Sequence, residues 1–319
     1  MKHIRLFSLL IATVLLVFCL TGCNEEEKKK ANEAAESYNS QVEEYNKGIR
    51  LYNDAVDKIV EANNSFNAVI DAAQASIDKG EKPYDENTET KLKNGIVAAN
   101  KKVVAVPKKL DEKGSATVDE AWDKGKLEEF ISDTNEDTSA LASETVPTPP
   151  EIPNYETEIN ELNGLKKAYE DSIQGLKQIT APTDEFVTKR LQRIDTILSM
   201  AAVTEDHDPN GKLNKQGGYI GCIYFRDSRV DKKDITNTEA GDDVIEIGTE
   251  GGGAVEVFKT EEEAVARDNY LAMTQSISGT ARSHYVRGTC VIRTSEHLKG
   301  SEQMSLTDAI TNALIAVDN

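Results

Sequence analysis

The sequence predicts a mainly α-helical protein in which long N-terminal helices precede a small C-terminal α+β domain. Apolar residues between Ala31 and Ile77 recur in alternating steps of four and three, the 3.5-residue period of a coiled coil. After Thr204 this period stops, glycines cluster, and short apolar runs typical of strands appear. Only 6% of the residues are aromatic, which argues against one large enzyme core.

The charge balance restricts the partners that we expect. The chain has 319 residues, with 37 Lys and Arg against 56 Asp and Glu, and a formal net charge of −19. This length is consistent with about two domains. Neutralising nucleic-acid phosphates requires an excess of basic residues, so we expect no nucleic-acid partner.

The region 23–143 is predicted to form long helices of the coiled-coil type. In the first helix, a Tyr-Asn pair recurs every seven residues, beginning at Tyr38, Tyr45 and Tyr52, and we interpret the tyrosines as part of the apolar seam. A second helix is expected over 88–106, and a weaker one over 118–141. Short connections predict that these segments fold back antiparallel on the first helix. The seam also predicts self-association through a coiled coil.

A proline-rich stretch separates this region from a second helical region. Residues 144–154 hold four of the eight prolines, so we expect a stiff, extended linker. A helical pair is predicted over 155–203. Its second helix is capped by Thr183 and continues to Ala201.

The segment 204–319 is predicted to be the α+β module. Strands are expected over 219–226, 254–258 and 284–294, and Thr260 opens a helix through a T-x-x-E capping box. With a last helix over 305–317, the order is β-β-α-β-α, which predicts an antiparallel sheet with helices on one face. The module is similar to modules on surface proteins of Gram-positive bacteria, and that resemblance implies no function.

The first residues have the pattern of an export signal. Lys2 and Arg5 precede an uncharged apolar run over 6–20, which is short for a membrane span. The following Leu20-Thr21-Gly22-Cys23 resembles the lipobox of bacterial lipoproteins, most of all Gram-positive ones. The resemblance implies a signal peptide over 1–22 and diacylation of Cys23. It also implies attachment to the outer face of the cell membrane. The alternative is an uncleaved membrane anchor.

The sequence contains one candidate metal loop. Asp206, Asp208 and Asn210, followed by Gly211, match the first half of a calcium-binding EF-hand loop, in which oxygen ligands occupy alternate positions. The twelfth position is Gly217 rather than Glu, so the bidentate ligand is missing. The alternative is a turn that joins a helix to a strand.

Two further candidate features lie in the predicted strands. By alternation, Tyr285, Arg287 and Arg293 share one face of the third strand, an arrangement suited to a carboxylate or phosphate ligand. The alternative is a solvated strand face. Cys222 and Cys290 lie in the first and third strands, and they would form a disulfide if those strands were neighbours. Otherwise they are free thiols of the core.

No sequence motif indicates catalysis, because both H-E-x-x-H and G-x-S-x-G are absent and we identify no catalytic residue. We therefore expect a lipid-anchored extracytoplasmic protein, with a helical stalk that presents a module for binding an envelope polymer or a protein partner. One alternative is a hydrolase or lyase module on the same anchor. Another is a structural coiled-coil spacer of the envelope.

Overall fold

The computed structural model describes residues 2–278 and 283–318, with the side chains of 2–23, 238 and 275–278 outside that description. The helices are α1 (Lys2–Asp78), α2 (Glu86–Asn100), α3 (Lys124–Ser143), α4 (Glu156–Gln178), α5 (Asp184–Leu191), α6 (Val244–Ile247), α7 (Glu261–Ser278) and α8 (Gly300–Ile315). The strands are β1 (Ile197–Ala202), β2 (Gly221–Asp227), β3 (Gly252–Val257), β4 (His284–Arg287) and β5 (Cys290–Thr294).

The chain divides into two compact units. Unit 1 comprises Met1–Ala68 and Lys102–Thr157, and unit 2 comprises Val69–Lys101 and Glu158–Asn319. The fold class is confirmed, because long helices precede an antiparallel sheet covered by helices.

In unit 1, the apolar residues of the heptad seam of α1 are buried. Val42, Ile49, Val56, Ile59 and Phe66 are each exposed by 3% or less. The tyrosines of the Tyr-Asn repeat are only half-buried, so they flank this core instead of filling it.

The helix α3 runs parallel to α1, which corrects the predicted antiparallel arrangement. At its start, Lys124 lies 3.7 Å from Glu27, and just after its end Glu144 accepts a hydrogen bond from the hydroxyl of Tyr45 at 2.8 Å. The chain reverses direction before α3, because residues 103–119 form no helix or strand and run back along α1.

The predicted helix over 88–106 also ends earlier than expected. The helix α2 stops at Asn100, and the valines at 103, 104 and 106 lie in extended chain. These residues are β-branched and Pro107 follows them, and both features disfavour a helix.

In unit 2, the second half of the predicted helical pair is divided between a helix and a strand. Thr183 caps α5 as predicted, because its hydroxyl accepts a hydrogen bond from the N–H of Phe186 at 3.2 Å. The helix stops at Leu191, however, and Ile197–Ala202 forms β1. Met200 pairs with Phe225 of β2, so pairing with the sheet overrides the helical pattern.

The sheet has five antiparallel strands in the order β1-β2-β3-β5-β4. The predicted strand over 284–294 is a hairpin that turns at Gly288 and Thr289, with Gly288 at a φ of +56°. Helices cover both faces of the sheet, whereas the pattern predicted one. One face packs on α5 and α8 through Val187, Leu191, Leu306 and Ile310, and the other on α7 through Ala264 and Leu271.

The glycine run before the second predicted strand lies partly inside the sheet. Gly252 and Gly253 are residues of β3, although a run of glycines is more typical of a turn or a bulge. A Cβ atom on Gly253 would collide with the carbonyl oxygen of Arg293 on the paired strand β5. Glycine therefore permits the close approach of two backbones at this position.

We expect Gly253→Ala to destabilise the protein by about 1–3 kcal/mol, because the backbone oxygen of Arg293 cannot move away without breaking the sheet. Gly164→Ala is the matched control. Gly164 lies inside α4 with open space around it, so alanine should add about 0.5–1 kcal/mol of stability there. Urea unfolding of both variants measures the difference. Equal midpoints for Gly253→Ala and wild type would contradict the steric explanation.

Candidate functional site

The structure separates the three residues of the predicted anion site. In the β4–β5 pair, His284 lies opposite Arg293 and Tyr285 lies opposite Ile292. Residues directly opposite each other share a face of the sheet, so Arg293 faces away from Tyr285 and Arg287. The prediction is wrong because the hairpin turn at Gly288 interrupts the alternation on which it rested.

Tyr285 and Arg287 remain together at the edge strand β4. The guanidinium of Arg287 lies 5.8 Å from the ring centroid of Tyr285, and it donates a hydrogen bond to the carbonyl oxygen of Val286 at 2.8 Å.

The predicted calcium loop is a hydrogen-bonded turn. The carboxylate of Asp208 accepts hydrogen bonds from the N–H of Asn210 (3.1 Å), the N–H of Leu213 (2.7 Å) and the hydroxyl of Tyr219 (2.5 Å). Burial works to raise the pKa of Asp208, but these donors outweigh it and hold that pKa below its usual value. Donors thus occupy the oxygens that a cation would need.

The other predicted ligands of this loop do not complete a metal site. Asp206 is exposed, and the side-chain amide of Asn210 donates to the hydroxyl of Tyr224 at 2.8 Å. In the described residues, no three His, Cys, Asp or Glu side chains come together to hold a metal ion. This geometry favours the alternative of a turn over the calcium site, and the turn joins β1 to β2, because the predicted helix before it is a strand.

The two cysteines are free and buried on opposite faces of the sheet. Cys222 pairs with Glu256 of β3, and Cys290 pairs with Val257, the next residue of the same strand. Since β3 lies between them and neighbouring residues of a strand point to opposite faces, no disulfide joins them, and the structure shows the alternative of free core thiols. Burial raises the pKa of Cys290 to about 12 and that of Cys222 well above its usual value.

The predicted lipid attachment at Cys23 concerns a side chain that lies outside the described residues. Elsewhere, no helix with described side chains is both long and apolar enough to cross a membrane.

A cleft of about 470 Å³ opens in unit 2 between α7 and the loop that precedes β2. Its polar and aromatic lining residues are Asn210, Lys212, Tyr219, Phe258, Glu263, Arg267 and Tyr270. Tyr219 and Phe258 are buried, whereas Tyr270 is 59% exposed at the rim. The cleft therefore combines aromatic faces with hydrogen-bonding groups of both charges.

A buried ion cluster fixes one wall of this cleft. The carboxylate of Glu256 on β3 is fully buried, and it accepts hydrogen bonds from Nε (2.8 Å) and Nη2 (2.9 Å) of Arg267 and from Nη1 (2.8 Å) of Arg293. Burial works to raise the pKa of Glu256, but the hydrogen bonds and charges of the two arginines hold it below its usual value. Two guanidiniums share one carboxylate, so the cluster carries a net positive charge.

The cluster also orients the aromatic rim. The guanidinium of Arg267 lies 5.6 Å from the ring centroid of Tyr270, one helical turn further along α7. On the same face of the sheet, Nδ1 of His284 lies 2.5 Å from a carboxylate oxygen of Asp268. This second pair is buried and lies outside the lining of the cleft.

Comparison with known protein families, with curated proteins and with solved structures finds no match for this chain.

Sequence reasoning did not identify this cleft. The one available signal was Glu256, a charged residue inside the apolar strand 254–258, because a buried carboxylate requires a partner. Its partner Arg267 lies on α7, and the sequence does not show which face of the sheet that helix covers.

We expect Glu256→Gln to destabilise the protein by about 3–5 kcal/mol at pH 7, because two guanidiniums on side chains that are only 22% exposed lose their counter-charge. The folded-state pKa of Glu256 is lowered, so its contribution is present above the ordinary Glu pKa and is lost as the pH falls. The deficit of the variant should therefore shrink in acid.

Urea unfolding at pH 7 and at lower pH measures this effect. Glu296→Gln, a change at an exposed carboxylate, is the control and should alter stability by less than about 0.5 kcal/mol. A Glu256→Gln variant as stable as this control at pH 7 would refute the assigned role of the cluster.

Proposed function

We propose that this protein is a lipid-anchored extracytoplasmic protein whose C-terminal α+β domain binds a short, acidic oligosaccharide segment of the cell envelope. The observation that carries the proposal is the cleft beside α7, with its aromatic faces, its amide and its basic groups. Its volume lies within the range of about 300–1,000 Å³ that is usual for small-ligand sites.

The lining groups match the chemistry of a sugar that carries an anionic substituent. The face of a sugar ring is apolar and packs against aromatic rings such as that of Tyr270, while its hydroxyls require neutral partners such as the amide of Asn210. Lys212 and Arg267 add positive charge for a carboxylate or phosphate substituent.

The acidic group that lines the cleft, Glu263, and the two carboxylates that contact lining residues, Asp208 and Glu256, favour binding over catalysis. A general acid at neutral pH needs a carboxyl with a raised pKa, but Asp208 and Glu256 both have lowered values. Glu263 accepts hydrogen bonds from the backbone N–H groups of Lys259 and Thr260, where it caps α7. All three carboxylates thus accept hydrogen bonds from donor groups of the protein.

The anchoring part of the proposal rests on the sequence before residue 24. A basic n-region, a short apolar run and Leu20-Thr21-Gly22-Cys23 support export followed by lipid attachment at Cys23. Two acyl chains hold a protein on a membrane far more firmly than one. The helical region lies between this cysteine and the domain in the sequence.

We expect the full chain to bind acidic oligosaccharides released from a Gram-positive cell wall, and Tyr270→Ala to weaken this binding roughly three- to tenfold. That range corresponds to about 0.5–1.5 kcal/mol for one aromatic contact. Isothermal titration calorimetry measures it. Met304→Ala, at a residue of α8 that is 59% exposed, is the control and should leave affinity unchanged. Equal affinities for Tyr270→Ala and wild type would exclude the cleft as the site.

We expect Cys23→Ser to abolish incorporation of labelled palmitate in a bacterial host and to move the protein out of the detergent-rich phase on phase separation. Cys19→Ser is the matched control, because Cys19 belongs to the segment that cleavage removes. Labelling of the Cys23→Ser protein at the level of wild type would show that Cys23 is not the residue that carries the lipid.

A further inference from the structure

The helix α1 in unit 1 carries asparagines that bind the main chain of an extended segment. We call this segment, residues 103–117, the strap. Asn46 donates from Nδ2 to the carbonyl oxygen of Lys113 (2.9 Å) and accepts the N–H of Lys113 at Oδ1 (2.8 Å). Asn39 does the same with Ala116 (2.9 and 2.8 Å), and Asn53 with Leu110 (2.8 and 2.9 Å).

These three contacts, here called rungs, bring two regular spacings into register. Rungs are seven residues apart on α1 and three residues apart on the strap, which runs in the opposite direction. Seven helical residues rise about 10.5 Å, and three residues of extended chain about 9–10 Å. The burial pattern agrees, because within 105–117 only 107, 110, 113 and 116 are half-buried, whereas the other residues are exposed.

The next step of the same register falls on Val60 and Pro107. Here the helix offers no side-chain amide, and the strap has no N–H to donate. The series then closes at Asn63, whose Nδ2 donates to the carbonyl oxygen of Val104 at 2.9 Å. The hydroxyl of Tyr155 accepts the N–H of Val104 (3.0 Å) and donates to Oδ1 of Asn63 (2.7 Å).

The rungs contact only groups that every amino acid except proline possesses. In the described chain, the strap makes no backbone–backbone hydrogen bond. The ammonium of Lys113 lies 5.3 Å from the ring centroid of Tyr45 on α1 and 2.6 Å from the carboxylate of Glu144.

The strap adds two ion pairs with α1, Lys109 with Asp57 (2.7 Å) and Glu112 with Arg50 (3.0 Å). All four side chains are about half exposed, and such pairs contribute about 0–1 kcal/mol. Main-chain hydrogen bonds therefore dominate the recognition.

We propose that the asparagine face of α1 is a binding site for the main chain of an extended peptide, and that the strap is its resident occupant. The ligand class is an extended segment of a partner protein with a free N–H at every third residue. A cation and an anion placed as Lys109 and Glu112 are would strengthen its binding. This site lies in unit 1 and is independent of the oligosaccharide cleft.

Two features suit this face to the exchange of its occupant. Asn46 is 5% exposed with the strap in place, so removing the strap without replacement leaves an amide that has lost both partners. The strap itself buries little apolar surface, which is typical of segments that open at low cost. In addition, Asn32 lies one heptad before Asn39 and is exposed, so a longer peptide reaches a further asparagine.

The test weakens the resident strap and leaves α1 intact. In Leu110→Pro/Lys113→Pro, proline removes the N–H at two rungs, while its fixed φ suits the extended conformation of the strap. Asp111→Pro/Gly114→Pro is the matched control, because it places two prolines three residues apart at neighbouring positions that neither a rung nor an ion pair of the strap uses. The probe is a fluorescent peptide with the sequence of residues 103–117, measured by anisotropy on the full chain.

We expect the Leu110→Pro/Lys113→Pro protein to bind this peptide at least tenfold more tightly than wild type or the control. A peptide with permuted residues between the rung positions should bind within threefold of the parent. A peptide N-methylated at the residues equivalent to 110, 113 and 116 should lose at least tenfold. Adding Asn39→Leu, Asn46→Leu and Asn53→Leu should abolish binding.

Three outcomes would overturn the proposal: no binding by the Leu110→Pro/Lys113→Pro protein, N-methylation without effect, or loss of binding on permutation. Circular dichroism establishes that each variant is folded. A second measurement avoids variants altogether, because amide hydrogen exchange on the wild-type protein should show slow N–H groups at 110, 113 and 116 and fast ones between them. Uniform exchange along the strap would contradict the rungs themselves.

Discussion

The seven-residue period of α1 is the constraint on which unit 1 depends. One stripe of this period buries Val42, Ile49 and Val56 as the core. The neighbouring stripe places asparagine amides seven residues apart, and the rise over seven helical residues matches the length of three residues of extended chain. Because the two stripes share one helix, a residue inserted between Asn39 and Asn53 would disrupt apolar packing and main-chain recognition together.

In unit 2, a comparable role belongs to the buried carboxylate of Glu256. It joins the central strand β3 to β5 and α7, because its two arginines come from these elements. Desolvation of a charge is costly unless hydrogen bonds compensate it, and here three of them do. The arrangement fixes how α7 lies on the sheet and so sets the wall and rim of the cleft.

Periodic features of the structure could be predicted from the sequence, and features that depend on tertiary pairing could not. The heptads of α1 and the caps at Thr183 and Thr260 are local patterns, and each lies where the sequence places it. Ile197–Ala202 has a helical pattern but becomes a strand through pairing with β2. The strand interpretation of 284–294 missed Gly288, whose positive φ turns the chain.

The candidate functional residues could not be identified from the sequence, because their roles also depend on tertiary contacts. The Tyr-Asn repeat is visible in the sequence, and its tyrosines were expected to form part of the core because aromatic residues at heptad spacing usually do so. The sequence pattern assigned no role to the asparagines. The asparagines bind backbone atoms, which no residue type at 103–117 can reveal. Similarly, Asp208 matches a calcium-ligand pattern because carboxylates suit both metal ions and backbone N–H groups.

Main-chain recognition has an evolutionary consequence for the strap. Since the rungs do not contact its side chains, most substitutions between 105 and 117 leave the hydrogen bonds to α1 unchanged. Selection there acts on chain length, on the direction of the segment and on the absence of proline at three positions. The sequence of the strap can therefore diverge rapidly while the asparagines opposite it stay fixed. The binding face and the segment that occupies it would then evolve at different rates.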